Sequence, residues 1–354
     1  MEVKLMKGNE ALAEAAIRAG CDAYFGYPIT PQSEVLEYLT IEMPKHNRVV
    51  VQAESEVASI NMVYGAAGAG FRAMTTSSSP GISLMAEGIS YIAGAELPCL
   101  IVNVNRAGPG LGTIQPGQGD YFQATKGGGH GDYRLLVLAP ASVQEMADFV
   151  FDGFDLAEKY RNPVMILSDG AIGQMMEKVV FHDRRVVPSE KPWATRGKPA
   201  TRSRNYITSL HIRPEDMEVQ NLRLKDKYEQ MRREEVRYEE IGTEDAEYLL
   251  VAYGLSARIC TKVVDLAREQ GIRLGLFRPI TLFPFPMQRL EELADQVHGM
   301  MSVELNTGQM LEDVQLAVKG KVPVDFFGKL GGLIPTPEEV LHFVEQKMPA
   351  LYVS

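Results

Sequence analysis

Six short apolar runs, separated by amphipathic helical patterns, constrain the first half of this chain more than any other feature: AYFGY (23–27), VVVQA (49–53), AMTTS (73–77), LIVNV (100–104), LLVLA (135–139) and VMILS (164–168). Apolar and polar residues do not alternate within them, so each reads as a strand covered on both faces. Strands of that kind belong to mostly parallel sheets, whose crossover connections place helices above and below. The chain is therefore predicted to open with a doubly wound α/β domain over residues 1–180. Ligands of such a domain sit at the carboxyl ends of its strands.

The same style returns on a smaller scale over 245–354: YLLVAYG, the helical ARICTKVVDLAREQG, LGLF, the ELADQV helix, GMMSVEL and PVDFFG. A second, shorter α/β domain is predicted there, and 354 residues suit two cores better than one. Residues 181–244 differ in kind, forming a charge-rich connector that holds the only tryptophan, Trp193. Within it Met217, Leu224, Met231 and Tyr238 recur every seven residues with Tyr228 between them, an apolar stripe on a charged helix that begins after Pro214. Such a stripe either lies across its own subunit or meets a partner.

Charge and cysteine usage exclude several classes. A net charge of -10 opposes binding to nucleic acid or an anionic membrane, which calls for clustered positive charge. The N-terminal MEVKLMKGNEALAEAAIRAG lacks an apolar signal core, and no run of about eighteen apolar residues occurs, so a cytoplasmic location is expected. Cys21, Cys99 and Cys260 lie far apart and form no CxxC or disulfide pattern. Each reads as a small buried side chain, and any iron–sulfur cluster must belong to another chain.

Four segments carry candidate chemistry. Gly26-Tyr27-Pro28-Ile29-Thr30-Pro31 runs from a strand end to a helix start, stiffened by two prolines; it is either a ligand loop or a plain βα turn with Pro31 at the first helical position. In VVVQAESEVASINMVYGAAGAG a strand leads through Glu54 and Glu56 into a small-residue helix, and Val57, Ile60, Val63 and Tyr64 share the face of its glutamate-bearing start. A carboxyl there borders apolar surroundings, which raise its pKa, and a helix N-terminus, which opposes the rise. Two ordinary solvated acids fit the same spacing.

The third segment, AMTTSSSPGISLMAEGISYI, places Ser77-Ser78-Ser79-Pro80-Gly81 between strand and helix, a turn small enough for close approach of a ligand to the main chain. It has no GxSxG elbow, so Ser79 is not read as a hydrolase nucleophile. In the fourth, LIVNVNRAGPGLGTIQPGQGDYFQATKGGGHGDYR, Arg106 leaves a strand end and enters a loop with nine glycines, a position suited to forking a carboxylate. Asp120, His130 and Asp132 are further candidates, with His130 equally readable as a solvated loop residue. Neither GPGLG nor GAAGAG has the GxGxxG spacing of a dinucleotide site.

Taken together, YPITP, QAESEVASINMVYGAAGAG, TTSSSPGISLMAEGISYIAGAELPC and NRAGPGLGTIQPGQGDYFQATKGGGHGDYR resemble the α subunit of the multi-subunit 2-oxoacid:ferredoxin oxidoreductases, closest to the branched-chain, 2-ketoisovalerate (3-methyl-2-oxobutanoate) type. RPITLFPFP (278–286) and VELNTGQM (303–310) resemble its transketolase-C-like second domain, so the resemblance spans nearly the whole chain. It implies a pyrimidine-type thiamine-diphosphate domain followed by that smaller domain. It also implies oxidative decarboxylation of a 2-oxoacid to an acyl-CoA, with coenzyme A as co-substrate and electrons passed to ferredoxin. The diphosphate and Mg2+ would belong to a β subunit, and [4Fe-4S] clusters to γ and ferredoxin-like subunits. No metal ligands are assigned to this chain, whose one partial echo of the β-subunit GDG motif is Ser168-Asp169-Gly170.

Residue by residue, the resemblance makes Glu56 the carboxyl that contacts N1′ of the aminopyrimidine, with Glu54 a competitor. It puts Thr30 near the reacting carbon and the substrate carboxylate, makes Arg106 the group binding that carboxylate, and lines the pyrimidine side with Tyr27, Pro28 and Ile29. Relatives acting on 2-oxoglutarate carry SGPG where this chain has Ser78-Ser79-Pro80-Gly81. The alternatives are the same enzyme acting on 2-oxoglutarate or another 2-oxoacid, a non-oxidative thiamine enzyme, and a non-catalytic assembly subunit.

Overall fold

All six apolar runs form parallel strands of one sheet in the computed structural model, which describes residues 2–347 apart from 183, 185, 187, 188 and 199. Those five positions of the predicted connector, and the tail 348–354, lie outside the described residues. The strands are β2 (Ala23–Gly26), β3 (Val49–Gln52), β4 (Ala73–Ser77), β5 (Cys99–Asn105), β6 (Leu136–Leu138) and β7 (Pro163–Asp169). They stand in the order β6-β7-β5-β4-β2-β3. Every residue of β4, β5 and β7 is buried, as unalternated runs require. β3 departs from that expectation: it is the sheet edge, partly exposed along its length, with Val49 at 51%. The opposite edge is completed by β12 (Thr281–Phe283), which arrives from the second half of the chain and pairs antiparallel with β6.

Helices cover both faces: α1 (Gly8–Arg18), α2 (Ser33–Glu42), α3 (Glu56–Gly68), α4 (Ser79–Gly94), α5 (Tyr121–Thr125), α6 (Val143–Tyr160) and α7 (Gly170–Gln174). α6 shows why: Val143, Met146, Ala147, Val150, Phe154 and Ala157 recur at three- and four-residue steps and are buried, while Ser142 Oγ caps the start by accepting from Glu145 N (3.2 Å). A two-stranded antiparallel ribbon of β1 (Glu2–Lys7) and β8 (Met176–Phe181) flanks this layer.

The second sheet holds β9 (Tyr238–Ile241), β10 (Tyr248–Val251), β11 (Leu274–Pro279), β13 (Gly299–Glu304) and β14 (Val324–Gly328) in the order β14-β13-β10-β11-β9, parallel except for β9. α9 (Gly254–Glu269), α10 (Met287–Ala294), α11 (Gln309–Val318) and α12 (Pro337–Lys347) accompany it. The connector helix, α8 (Pro214–Glu234), buries Leu224, Tyr228 and Met231. It lies on its own chain: Lys227 Nζ pairs with Glu96 (2.8 Å) and donates to Arg161 O (3.1 Å). Tyr238, the last residue of the sevenfold spacing, falls beyond the helix in β9.

Gln118 joins the two sheets' layers. Buried at 3% exposure, it donates from Nε2 to Tyr253 O (2.9 Å) and accepts at Oε1 from Ser256 Oγ (2.8 Å) and Leu305 N (2.9 Å). Tyr121 Oη adds a bond to Asp313 Oδ2 (2.5 Å), and Lys126 forms an ion pair with the same carboxylate. Buried polar groups satisfied this fully hold a seam in one register.

Candidate functional site

The chain reverses its direction of travel across the sheet at β2, which has β3 on one side and β4 on the other, so the crevice between the ends of β2 and β4 is the switch point where open α/β sheets take ligands. Loop 27–32 leaves β2 there. Its backbone is held from several sides: Asn9 Nδ2 donates to Pro31 O (2.7 Å), Gln174 Nε2 to the same oxygen (3.3 Å), and Gln32 Nε2 to Tyr27 O (3.3 Å). Gln32 is in turn anchored, because Tyr24 Oη donates to Thr76 Oγ1 (2.7 Å) and Thr76 to Gln32 Oε1 (2.5 Å), all three side chains being fully buried. Tyr24, Gln32 and Thr76 escaped the sequence reading, since only the pairing of β2 with β4 brings them together.

The loop presents Tyr27, Pro28 and Thr30 exposed and Ile29 half-buried. Arg106, following β5, reaches it: one guanidinium N–H donates to Thr30 O (3.1 Å) and another to Leu111 O (2.9 Å). Thr30 and Arg106, predicted together, are therefore neighbours.

Glu56 stands in the first turn of α3 at 6% exposure, whereas Glu54 is exposed and accepts a bond from Ser55 Oγ (2.8 Å). Burial thus separates two acids that spacing could not. Ile60 and Val63 are buried with Glu56, Tyr64 is half-buried, and Val57 faces outward at 47%, so the predicted apolar face is narrower than expected. Ser55 Oγ caps the helix by accepting from Ala58 N (3.2 Å), and the positive end of the helix favours a carboxylate. The far end of α3 is fastened by connector cations: Arg196 donates to Ala69 O (2.6 Å) and Lys191 to Gly70 O (3.0 Å).

The start of α4 lies between Glu56 and Arg106. A β-carbon at Gly81 would overlap Ser77 Oγ and stand 2.7 Å from Glu56 Oε1. Two residues earlier, Ser79 Oγ accepts from Arg106 N (3.1 Å). Beyond Arg106 a cleft of about 460 Å3 opens, walled by Ser79, Arg106 and Asp120 on one side and Leu305, Asn306 and Gln309 on the other. Burial raises the Asp120 carboxyl above its usual range, against hydrogen bonds from Ser79 and Asn103. The wall from the second unit was not anticipated as part of the site. His130 and Asp132 stay outside it: His130 is exposed with its ring edge-on to Tyr91 (6.2 Å), and Asp132 borders α8.

Asp169 of the Ser168-Asp169-Gly170 echo is a helix cap. It accepts from Ala171 N (2.8 Å) and Ile172 N (3.1 Å) at 2% exposure, and burial pushes its pKa up to about 6. Its folded value exceeds its unfolded one, so the stability it contributes is complete below about pH 4 and is lost as pH rises through about 6. Asp169→Asn keeps the cap and removes the charge. At neutral pH it is expected to raise stability by up to about 3 kcal/mol, a difference that disappears near pH 4 in thermal-unfolding midpoints of the two proteins.

Among the described residues no three His, Cys, Asp or Glu side chains are grouped to hold a metal ion, and no helix is long and apolar enough to cross a membrane. The residues at the switch point do fit a small polar heterocycle: Glu56 is buried beside a glycine with no side chain, and Ser77 Oγ and Ser78 Oγ are buried without hydrogen-bond partners.

Fold and site define an α/β protein of the thiamine-diphosphate-binding type. The family described as "Pyruvate flavodoxin/ferredoxin oxidoreductase, thiamine diP-bdg" matches residues 14–242, and "Pyruvate:ferredoxin oxidoreductase core domain II" matches 246–340. The chain is 51% identical to the ketoisovalerate oxidoreductase subunit VorB of Methanothermobacter marburgensis, over 98% of both chains. It is 37% identical to the 2-oxoglutarate synthase subunit KorA of Methanocaldococcus jannaschii, over 96% of this chain and 98% of that one. The structure of 2-oxoglutarate:ferredoxin oxidoreductase from Magnetococcus marinus, with 2-oxoglutarate, coenzyme A and succinyl-CoA bound, superposes with a TM-score of 0.85 at 28% identity; the match covers 98% of this chain and 65% of that one. This chain belongs to the 2-oxoacid:ferredoxin oxidoreductase family, as a thiamine-diphosphate-dependent oxidoreductase subunit.

Proposed function

We propose that this chain is the α subunit that holds the aminopyrimidine half of thiamine diphosphate during oxidative decarboxylation of a branched-chain 2-oxoacid, typified by 2-ketoisovalerate. The observation that carries the reading is the buried carboxyl of Glu56, set against a glycine in the first turn of α3. Residues 1–180 form the cofactor domain, 181–244 the connector and 245–354 the transketolase-C-like domain. A β subunit supplies the diphosphate and Mg2+ half, γ and ferredoxin-like subunits supply [4Fe-4S] clusters, and the complex works in the cytoplasm with coenzyme A and ferredoxin.

When bound, the cofactor supplies the electron sink that lets the bond between the oxo carbon and the carboxylate break. Glu56 holds and exchanges a proton at N1′ of the aminopyrimidine, with Tyr27, Pro28 and Ile29 along the ring. Arg106 receives the substrate carboxylate through guanidinium N–H groups beside those it gives to Thr30 O and Leu111 O, with Thr30 next to the reacting carbon.

Substrate choice follows from charge. Among the described residues, Arg106 is the one cationic side chain lining the cleft, and the other charged group there is Asp120. A second carboxylate, as in 2-oxoglutarate, would find no further cation and would meet an acid; Leu305 and Leu330 suit a branched alkyl group instead. In the purified complex, kcat/KM with a viologen acceptor is expected to favour 2-ketoisovalerate over 2-oxoglutarate by about tenfold or more, and over pyruvate by roughly 5- to 150-fold, the equivalent of the ~1–3 kcal/mol that added methyl groups carry. A preference for 2-oxoglutarate overturns the assignment.

A further inference from the structure

Loop 27–32 has little freedom of its own. Its carbonyl oxygens are taken one after another: Tyr27 O by Gln32 Nε2 (3.3 Å), Ile29 O by Gln32 N (3.1 Å), Thr30 O by Arg106 (3.1 Å) and Pro31 O by Asn9 (2.7 Å). Gln32 takes two of these, so it cinches the loop from inside. Pro28 and Pro31 have no N–H with which to form competing bonds.

Gln32 is itself fixed by a chain of hydrogen bonds that can run in one direction only. A carbonyl accepts, so the Gln32 amide turns its nitrogen to Tyr27 O and its oxygen to Thr76. That oxygen also accepts, so the single hydroxyl proton of Thr76 goes to Gln32 (2.5 Å), and Tyr24 Oη supplies the bond to Thr76 (2.7 Å). Tyr24 reaches this point because its ring lies against Gly26, where a β-carbon would stand 2.3 Å from the hydroxyl. Burial raises the Tyr24 hydroxyl above its ordinary pKa, so the chain keeps its protons at neutral pH. All three side chains are fully buried, and water cannot replace a lost member.

We propose that Thr76 is a positioning residue for cofactor binding: acting through Gln32, its hydroxyl holds Tyr27, Pro28 and Ile29 in the shape that receives the aminopyrimidine. The proposal rests on the reading that this loop lines the ring. A loop already in its binding shape loses no freedom when the ligand arrives. Once released, it spends part of its time in other shapes, and the apparent Kd rises by the inverse of the competent fraction. Loss of the Thr76 hydroxyl therefore acts on affinity for the cofactor far more than on turnover of the loaded enzyme.

The test is calorimetric titration of thiamine diphosphate, with Mg2+ present, into the cofactor-depleted complex well below its unfolding midpoint. Thr76→Val keeps the shape and removes the hydroxyl; it is expected to weaken binding about tenfold or more, with KM for the cofactor rising far more than kcat falls. Thr76→Ser keeps the proton and should bind as the parent does. Thr75→Val makes the same change at the adjacent buried threonine, whose hydroxyl has no partner, and should leave binding unchanged. Gln32→Met, of similar length but without the side-chain bonds, carries the expectation of Thr76→Val if that variant does not assemble. Tyr27→Ala tests the reading beneath the proposal. Weakened binding in Tyr27→Ala beside parent-like binding in Thr76→Val or Gln32→Met overturns the proposal and leaves that reading standing; parent-like binding throughout overturns both. Equal weakening by Thr75→Val and Thr76→Val overturns the proposal too, because a general loosening of β4 would then be the cause.

Discussion

Glu56→Gln is expected to leave the complex assembled and to cut turnover by about a hundredfold to ten-thousandfold, the range spanned by a lost general acid–base group. The amide has almost the volume of the carboxyl, so the packing against Gly81 and Ser77 persists, but it cannot exchange a proton with a ring nitrogen. Rescue by a neighbour is excluded by geometry: Glu54 points outward at the end of the strand and is tied to Ser55 Oγ, so Glu54→Gln is expected to retain activity. Hydrogen–deuterium exchange at C2 of bound thiamine diphosphate separates chemistry from assembly. Slowed exchange in Glu56→Gln with a normal elution profile fits the proposed role; an exchange rate equal to that of the parent removes Glu56 from it.

How much of this was legible beforehand depended on whether the controlling contact was local. β4, β5 and β7 were readable because strands covered on both faces need apolar residues at every position, and the runs AMTTS, LIVNV and VMILS provide that or small hydroxyls. The same rule overstated β3, since an edge strand can be built of valines too. β12 was hidden for a different reason: TLF is three residues long, and its partner β6 lies more than a hundred positions away, so nothing within any short window marks the pairing. β1 and β8 alternate weakly, and their ribbon depends on each other. At the site, Arg106 could be named from its place after a strand, and Thr30 and Glu56 from the resemblance. Spacing alone left Glu54 and Glu56 equivalent. Only burial by α4, itself held close because a β-carbon on Gly88 would stand 2.5 Å from Ile60, distinguishes them.

That closeness makes Gly81 the position where the smallest change should have the largest consequence. Gly81→Ala adds one methyl group in a helix, which raises helix propensity by about 1 kcal/mol and on that ground alone would stabilise α4. Here the new carbon overlaps Ser77 Oγ and stands 2.7 Å from Glu56 Oε1, with 3.0 Å to Glu56 Cγ. Ser77 belongs to the fully buried β4, whose main chain is fixed in the sheet, so the strain, typically about 1–3 kcal/mol for an overpacked core, falls on the Ser77 hydroxyl, on α4 and on the Glu56 side chain. Turnover is expected to fall at least as far as in Glu56→Gln, since the carboxyl is displaced from where a heterocycle would meet it. A loss through misfolding is separable from a loss through displacement by relieving one clash and keeping the other. Ser77→Ala combined with Gly81→Ala removes the hydroxyl from the overlap and should recover most of the unfolding midpoint, while Glu56 remains pushed aside and turnover stays low. Recovery of stability and activity together in the double variant would mean that the methyl acts through β4 and that the contact between Gly81 and Glu56 has no part in positioning the carboxyl.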